Sequence, residues 1–574
     1  MAVEKDTPGA TIVPVLISTD KTQLTTFRNK SAYPLYMTIG NIPKEIRRKT
    51  SMDAFLLLGY LPTTKLEQEN NKTKRKCLTT NLYHACLRHI LDPLLTAGNS
   101  GVFMSTATGN VHRVHPILAG FIGDYPEQVL STCTLTGDCP RCGTPTANLG
   151  DFDPDNVPAP RNHGVFVNAL NSFRRNPTGF LKAALQIRAK PVPHPFWLEH
   201  PRFNIFRSIT PDILHQLYQG IIKYLKAWIL CACEPAEIDA RCRRLPPNHN
   251  IRLFTKGISG LSRVTGHEHD QICRFLLGII IDIRLPHNCS NIRFIRSARA
   301  LLDFLYLAQY PIHSSSTLQL LMDALAQFHA NRDVFIALGI RTQFNLPKLH
   351  FMSHYVELIK HLGTADNFNT QHTERLHIPL AKRAYAATNH KDEFEQMSTW
   401  VNRKERVIRH DQYIQWRRAG TDAPTRVDQE LPSVDTRWEL SMSKHPSLPA
   451  VPLDRLQDSY GAPLFKVALK RFISTTNDRN QTRQQLEESL WRIRLPFTRL
   501  PVWHLIKFIR HDTLTGTRPT ADIIYVKPAT HDKRQRPIPG RFDTALINDG
   551  TGTGLGIKGE SEFLYSCATH SDSE

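Results

Sequence analysis

The 574-residue chain has no long apolar run: its longest such stretches, around FLLLGYLP and RFLLGIIIDIRLP, fall well short of the roughly 20 residues needed to span a bilayer. Its eleven cysteines are an odd number and lack the regular spacing of a disulfide framework. The opening MAVEKDTPGA has no apolar core of a signal peptide. We therefore expect no membrane integration, no disulfide scaffold and a reducing compartment.

Acidic residues are scarce relative to basic ones, with 52 Asp and Glu against 72 Lys and Arg and a formal net charge of +20. The excess is spread along the chain, which favours a polyanionic partner such as nucleic acid. A hydrophobic content of 41% allows an ordinary core and more than one domain. The basic run at residues 72–76 is a candidate nuclear address or phosphate contact, and we expect the nucleus as the compartment.

Residues 13–27, VPVLISTDKTQLTTF, open as an apolar, β-branched run that ends on Asp20, which predicts a buried strand closed by one acid. An acid at the end of a buried strand is costly unless its charge is compensated, and a bound Mg²⁺ is one compensation. A turn aspartate that caps the strand is the ordinary alternative. The metal interpretation requires other carboxylates nearby.

The following segments supply a second acid at a strand end. They predict two more strands, then a helix with Thr79 or Thr80 as its N-cap, then a buried run that ends in Asp124. Three antiparallel strands, a helix and a fourth strand beside the first are the element order of the RNase H-like fold. In that order Asp20 and Asp124 lie side by side and could share divalent cations.

A cysteine knuckle follows, within TCTLTGDCPRCGTP. The Cys139-x2-Cys142 spacing with a glycine turn suits tetrahedral Zn²⁺, and Cys133 and His163 are candidates for the other two ligands. Reduced free cysteines are the alternative. A zinc ion here would be structural.

Beyond a proline- and acid-rich linker, apolar residues at helical spacing predict a mainly α-helical segment over residues 151–346. Basic residues of this segment and elsewhere are candidate contacts to DNA phosphates. They are Lys21, Arg243, Arg244, Lys256, Lys533, Arg534 and Arg536.

The third candidate acid, Glu374, lies in the opening turn of a helix predicted to start near His372. A preceding helix is expected to end at Gly363, a common C-terminal cap. The helix macrodipole alone would favour a carboxylate at this position. A functional interpretation is suggested by the polar residues crowded around it, which are Asn367, Asn369, His372, Arg375 and His377.

Several blocks taken together resemble the Plavaka-type transposases of fungal mobile elements, relatives of the CACTA group. They include PVLISTDKTQLTTF, YPLYMTIGNIPKEIRRK, GFIGDYPEQ with the CPRC knuckle, TPDILHQLYQGIIKYLKAW, FNLPKLHFMSHYVELIKHLGTADNFNTQHTERLH and RPIPGRFDTALIN. The resemblance implies a DDE/D transposase with an α/β, RNase H-like catalytic core interrupted by a large α-helical insertion. The implied regions are 1–150 (first part of the core), 151–346 (insertion), 347–410 (last part of the core), 411–449 (linker), 450–548 (basic C-terminal region) and 549–574 (disordered tail).

The resemblance maps the catalytic triad onto Asp20, Asp124 and Glu374, which would bind Mg²⁺ or Mn²⁺ and cut and join DNA at transposon ends and target. Asp212 is a rival second acid, because Asp212 and His215 share one helical face in PDILHQ. If Asp124 is the second acid, then Asp212, His215, Arg375 and His377 support the site or contact DNA. A homo-oligomer is expected.

Two departures from the family pattern leave an alternative open. The Cys2His2-like finger region that family members usually carry near the N-terminus is not seen, and the sequence leaves the pattern after Asn548. The alternative is a domesticated or degenerate transposase that binds DNA without cutting it.

Overall fold

A computed structural model describes most of the chain, in two compact units. One unit comprises Met1–Leu245 with Leu253–Arg426, and the other Pro246–Arg252 with Val427–Glu574. The residues described are 8–25, 30–105, 110–171, 176–248, 250–286, 289–418, 437–460, 462–477, 482–511, 520–531, 535–538, 540–542, 546–548 and 563–565. No helix among them is long and apolar enough to cross a membrane.

The first unit is a mixed α/β structure built on a five-stranded sheet of order β3-β2-β1-β5-β4. Strand β1 is antiparallel to β2 and parallel to β5, and β4 and β5 form a hairpin. The strands are β1 Thr11–Thr19, β2 Pro34–Ile39, β3 Leu56–Tyr60, β4 Val102–Ser105 and β5 Val111–Ile122.

The centre of the sheet is β1, since the second half of this strand, from Val15 to Thr19, is buried throughout. A strand that is covered on both faces needs a continuous apolar run instead of an alternating one, and VLI supplies it. Its Leu16 packs in a cluster with neighbouring strands and with the helix that carries Glu374. The other buried members are Tyr36, Phe55, Ile122, Phe368 and Leu376.

Helices cover the sheet and form most of the remaining first unit. Those up to the middle of the chain are α1 Lys44–Arg47, α2 Lys72–Ser100, α3 Tyr125–Ser131, α4 His163–Asn171, α5 Pro177–Gln186, α6 Ile205–Ser208, a π-helical segment Ile213–Ile222 continuing into α7 Lys223–Ala232, and α8 Pro235–Arg244. The later ones are α9 Gly266–Ile280, α10 Asn291–Ala308, α11 Ser315–Asn331, α12 Val334–Ala337, α13 Pro347–Phe351, α14 Tyr355–Leu362, α15 Thr370–His377, α16 Arg383–Ala386 and α17 Glu393–Arg418.

Helix α2 begins earlier than its apolar pattern predicts. Its N-cap is Asn71, whose side chain accepts hydrogen bonds from the Thr73 and Lys74 backbone amides, and not Thr79 or Thr80. Both threonines instead bond back to carbonyls one turn earlier within the helix. The apolar pattern does not indicate the start of α2, because the first turn of the helix is basic and exposed and has no apolar face.

The segment that leads to Glu374 folds as the sequence predicts. Helix α14 ends at Leu362 and is followed by Gly363 as its C-cap, which adopts a φ of 94° that a side chain would strain. Helix α15 then starts at Thr370, with Asn369 as its N-cap. The region expected to be a linker, 411–449, is partly structured, because α17 continues through Arg418, the strand Arg437–Ser441 lies within it and the strand Leu448–Pro452 begins at its end.

Among the described residues, the second unit contains a four-stranded antiparallel sheet and three helices. The sheet has the order Arg541–Phe542, β10, β9, β6, and a separate pair joins β7 and β8. The strands are β6 Arg437–Ser441, β7 Leu448–Pro452, β8 Arg499–Val502, β9 Leu505–His511 and β10 Thr520–Lys527, and the helices are α18 Leu453–Ser459, α19 Phe465–Asn477 and α20 Arg483–Arg492. Most of the predicted tail, 549–574, lies outside the described residues.

Candidate active site and metal centre

The sheet brings Asp20 and Asp124 to the same edge. Strands β1 and β5 are parallel, and their last paired residues are Ser18 and Ile122. Asp20 follows the end of β1 and Asp124 follows the end of β5. Because parallel strands end at the same edge of a sheet, both acids project from one rim, as the element order predicts.

Asp124 also begins a helix. Its Oδ1 accepts the backbone amide of Glu127 at 3.0 Å, which caps α3. Asp212 is an N-cap as well, since its carboxylate accepts the backbone amides of Leu214 and His215 at the start of the π-helical segment. An N-cap uses one carboxylate oxygen, so this bond does not stop the Asp124 carboxylate from binding a cation.

Asp212 also lies at this rim, at the end of a third extended segment. The chain at Ile209 runs parallel to the end of β5 beside Phe121, and Thr210 is bonded to the Phe121 carbonyl through both its amide and its hydroxyl. Asp212 follows two residues later. A short extended segment therefore extends the sheet edge beside Asp124.

The Asp212 carboxylate is saturated by protein donors. One oxygen accepts the Thr370 hydroxyl at 2.8 Å, the Thr370 amide at 3.2 Å and the Leu214 amide at 3.2 Å. The other accepts the His215 amide at 2.8 Å. Burial would raise the pKa of Asp212, but the hydrogen bonds from His215 and Thr370 lower it below its usual value. Its charge is thus stabilised within the protein.

Helix α15 places Glu374 beside His215 and Asp212. The Glu374 carboxylate lies 3.0 Å from Nε2 of His215, and Nδ1 of the same ring lies 2.8 Å from the Thr370 hydroxyl and 3.4 Å from Asp212. Burial opposes a charge on His215, yet its bonds to Asp212 and Glu374 raise its pKa to about 11. His215 is therefore an imidazolium that joins two acids.

His377, also on α15, lies beside Asp20. It is buried, its Nε2 lies 3.5 Å from an Asp20 carboxylate oxygen, and its ring packs edge-on against Tyr36. Burial lowers the pKa of His377 to about 4, so it is neutral at physiological pH. Arg375 is exposed on the outer face of α15.

Asp20 is the most perturbed of the accessible acids. Burial and the negative charge of Asp124 raise its pKa to about 7, and Glu374 adds to the effect. The side chains of Asp20 and Glu374 are 24% and 41% exposed, whereas that of Asp212 is 2% exposed. Among the described residues, the oxygens of Asp20, Asp124 and Glu374 do not all lie within 4.8 Å of one another.

The polar residues that precede Glu374 have structural partners. Asn367 accepts a hydrogen bond from Arg47 at 2.6 Å, and Asp366 pairs with Lys44 at 3.1 Å, which ties the turn before α15 to α1. Asn369 caps α15. Their crowding in the sequence therefore reflects the anchoring of α15 and not ligands for a metal.

Glu127, just below the rim, is a buried acid that the sequence analysis did not single out. It accepts hydrogen bonds from the hydroxyls of Thr19 at 2.6 Å and Tyr33 at 2.6 and 2.7 Å. Burial outweighs these bonds and raises the pKa of Glu127 to about 8. It is protonated at neutral pH and so adds no charge to the rim.

This raised pKa gives a testable pH dependence. The folded state keeps the Glu127 proton up to about pH 8, whereas the unfolded chain loses it near pH 4.5. The Glu127 contribution to the unfolding free energy is therefore complete below pH 4.5 and falls as pH rises to 8, by at most ~1.4 kcal/mol per pH unit. In urea unfolding at pH 5 and pH 8, Glu127→Gln should lose less stability than the wild type. Equal losses in the two proteins would contradict a protonated Glu127.

A second cluster, formed by Cys139, Cys142, His350 and His354, has the composition of a zinc site. All four residues are buried, and one ligand atom from each lies within 4.8 Å of those of the others. The Cys142 sulfur is 3.1 Å from His350 Nε2, and the Cys139 sulfur is 3.5 Å from His354 Nε2. Two cysteines at x2 spacing and two histidines at x3 spacing are a donor set for Zn²⁺.

The predicted zinc ligands need correction at two positions. Cys139 and Cys142 belong to the cluster, but the Cys133 sulfur instead lies 3.3 Å from His84 Nε2. His163 is not in the cluster either, and its ring packs against Trp197. Their places are taken by His350 and His354, which the sequence analysis missed. The available signal was the His-x3-His pair in PKLHFMSH, on a helix-forming stretch.

The candidate DNA-contacting residues are exposed wherever the structure describes their side chains. Arg243 and Arg244 form the last turn of α8, and Arg244 also pairs with Glu237 at 3.4 Å. Lys21 lies directly after Asp20 at the rim. Lys256 and Arg536 are exposed too, and Lys533 and Arg534 lie outside the described residues.

A comparison with known protein families found a match to the N-terminal part of the chain. Residues 1–229 match a transposase family, so this part of the chain carries the signature of a class of DNA-processing enzymes. The family is that of the Plavaka transposases, which confirms the resemblance inferred from the sequence blocks. The matched residues include Asp20, Asp124, Asp212 and His215 but stop before Glu374. A search of curated proteins found no match.

Proposed function

We propose that this protein is a DDE/D-type DNA transposase with an RNase H-like core, which cuts and joins DNA strands with Asp20, Asp124 and Glu374 as metal ligands. The observation that carries the proposal is the convergence of these acids. Two come from the ends of adjacent parallel strands and the third from a helix that packs on the same sheet. The order β3-β2-β1-β5, with α2 between β3 and β5, agrees with that core.

The acids fit divalent cations on electrostatic grounds. The pKa of Asp20 is raised by burial and by the nearby acids Asp124 and Glu374, so the metal-free site holds carboxylates that repel one another. A cation would remove this cost, and Mg²⁺ or Mn²⁺ prefers carboxylate oxygens. Side-chain movement would be needed for one ion to contact all three acids, since their oxygens do not all lie within 4.8 Å of one another.

The ions, once bound, would activate a water or a 3′-hydroxyl and stabilise the leaving oxygen of the scissile phosphate. The protein would hold the carboxylates at the sheet edge and orient Glu374 through His215. Asp212 and Thr370 would fix that histidine by hydrogen bonds. Asp212 is thus a positioning residue, because its oxygens are occupied by protein donors, and Asp124 is the second metal ligand.

The exposed basic residues would hold the DNA backbone. A formal charge of +20 supports binding to transposon ends and target DNA, with an affinity that falls as salt rises. We further propose that the protein acts in the nucleus and as a homo-oligomer, since a transposase must bring two element ends together.

A nicking assay on DNA that carries the element's terminal repeats tests the proposal. We expect cleavage with Mg²⁺ or Mn²⁺, none with EDTA, and a roughly thousandfold loss in Asp20→Asn, because metal stabilisation of the transition state contributes several kcal/mol. Asp323→Asn, an exposed acid on α11, is the matched control and should cut like the wild type. If wild type and Asp20→Asn bind the DNA alike and neither cuts with any divalent metal, the protein is the non-catalytic DNA-binding alternative.

A further inference from the structure

The Cys2His2 cluster joins parts of the chain that are far apart in sequence. Cys142 and His350 are 208 positions apart, and Cys139 and His354 are 215 apart. The cysteines follow α3, the helix that Asp124 caps. The histidines lie on α13 and on the turn before α14, just ahead of the segment that leads to Glu374. Helices α4 to α12 lie between them in the sequence.

The cysteine side of the cluster is rigidly held. The Cys139 carbonyl accepts hydrogen bonds from the buried Arg161 guanidinium, and Arg161 also contacts the fully buried Asp138. The adjacent Arg141 is buried too, with bonds to the Phe206 carbonyl and to Glu357 of α14. A buried pair of cysteines held by such bonds is the kind of site that a structural zinc ion occupies.

The histidine side is connected to the catalytic rim by direct hydrogen bonds. Tyr355, which follows His354, donates its hydroxyl to the Asp212 carbonyl at 2.8 Å. Lys348, two residues before His350, donates to the His215 carbonyl at 2.7 Å. Asp212 in turn holds Thr370, the first residue of α15. A continuous set of bonds therefore runs from the cluster to the helix that carries Glu374.

We propose that Cys139, Cys142, His350 and His354 bind one zinc ion that acts as a clasp, fixing α15 and therefore Glu374 relative to Asp124. Zinc binding by these four residues does not depend on the proposed function, whereas the importance of placing Glu374 rests on it. Its tests therefore use metal content and hydrogen exchange, which are measured without DNA cleavage.

Metal content is the first test. The full-length protein, purified without chelator, should contain about one zinc per chain and give, with Co²⁺, the visible and charge-transfer bands of a tetrahedral thiolate site. Cys142→Ser should lower the zinc content at least tenfold. Cys133→Ser is the matched control, since this buried cysteine lies outside the cluster, and it should keep its zinc. A wild-type protein that neither contains zinc nor takes up Co²⁺ in this way would overturn the proposal.

Hydrogen exchange tests the clasp. Zinc removal from the wild type, or Cys142→Ser, should accelerate amide exchange at least tenfold in α13–α15, while α10 stays protected. Cys142→His, which restores a zinc donor, should return both the metal and the protection. Unchanged exchange in α15 after zinc loss would overturn the clasp. So would equal acceleration in α10 and α15, since the ion would then support the whole unit and not this helix.

Discussion

Asp124→Asn should reduce metal-dependent DNA cleavage roughly a thousandfold and leave the fold intact. Asparagine is as good an N-cap as aspartate, so the bond to the Glu127 amide is preserved and α3 keeps its start. What disappears is the negative charge that binds the cation, and with it several kcal/mol of transition-state stabilisation. Single-turnover cleavage, DNA affinity and urea unfolding should be measured on the same preparation.

This variant also decides between the two candidates for the second acid. Asp323→Asn controls for the loss of one negative charge from the protein. If Asp124→Asn cleaves like the wild type while a folded Asp212→Asn does not, the metal-ligand role moves to Asp212. We expect Asp124→Asn to lose cleavage and Asp212 to act only through the placement of Glu374, since Asp212 is 2% exposed and its oxygens accept bonds from protein donors.

The second large effect concerns stability. Asp212→Ala should lower the unfolding free energy of the first unit by about 3–5 kcal/mol, because it leaves the buried partners of the carboxylate unpaired. These are the Thr370 amide and hydroxyl, the amides of Leu214 and His215, and the charged His215 ring. Amide hydrogen exchange should be measured at increasing urea concentrations in the π-helical segment Ile213–Ile222 and in α15, since both belong to the first unit.

Asp333→Ala is the matched control for that experiment. Asp333 is also an N-cap aspartate, at α12, but it is exposed and makes no capping hydrogen bond. Its replacement should change the unfolding free energy by less than about 0.5 kcal/mol. Equal stability of Asp212→Ala and Asp333→Ala would contradict the structural role given to Asp212 and would make a metal-binding role for it more plausible.

Together, the two outcomes distinguish the acids needed for cleavage from the acids needed for folding, among the five acids at and just below the rim. Asp20, Asp124 and Glu374 should each be needed for cleavage and dispensable for folding. Asp212 and Glu127 should matter for folding. Asp212 is an ionised acid that accepts several buried hydrogen bonds, and Glu127 is a protonated one. The pKa shifts agree with this division: hydrogen bonds leave Asp212 ionised in spite of its burial, while burial keeps Glu127 neutral.

Local patterns in the sequence were enough to predict the rim of the sheet. The apolar run before Asp20 and the run before Asp124 indicate buried strands, and the order of elements between them predicts that the two strands are neighbours. Gly363 marks a helix end by its left-handed backbone, and the turn after it leads into α15 with Glu374. These features depend on residues near one another in the chain, and the match of residues 1–229 to the Plavaka transposases agrees with them.

The tertiary structure alone decided which side chains share the two sites. Nothing near Cys142 in sequence indicates that its partner is His350, 208 positions away, in place of Cys133 or His163. Likewise, only the packing of α15 against the segment at Asp212 shows that this acid is enclosed by donors while Asp124 remains accessible. Sequence spacing limits which ligands a short segment can offer, whereas long-range contacts depend on how helices and strands pack, and that is fixed by the whole core.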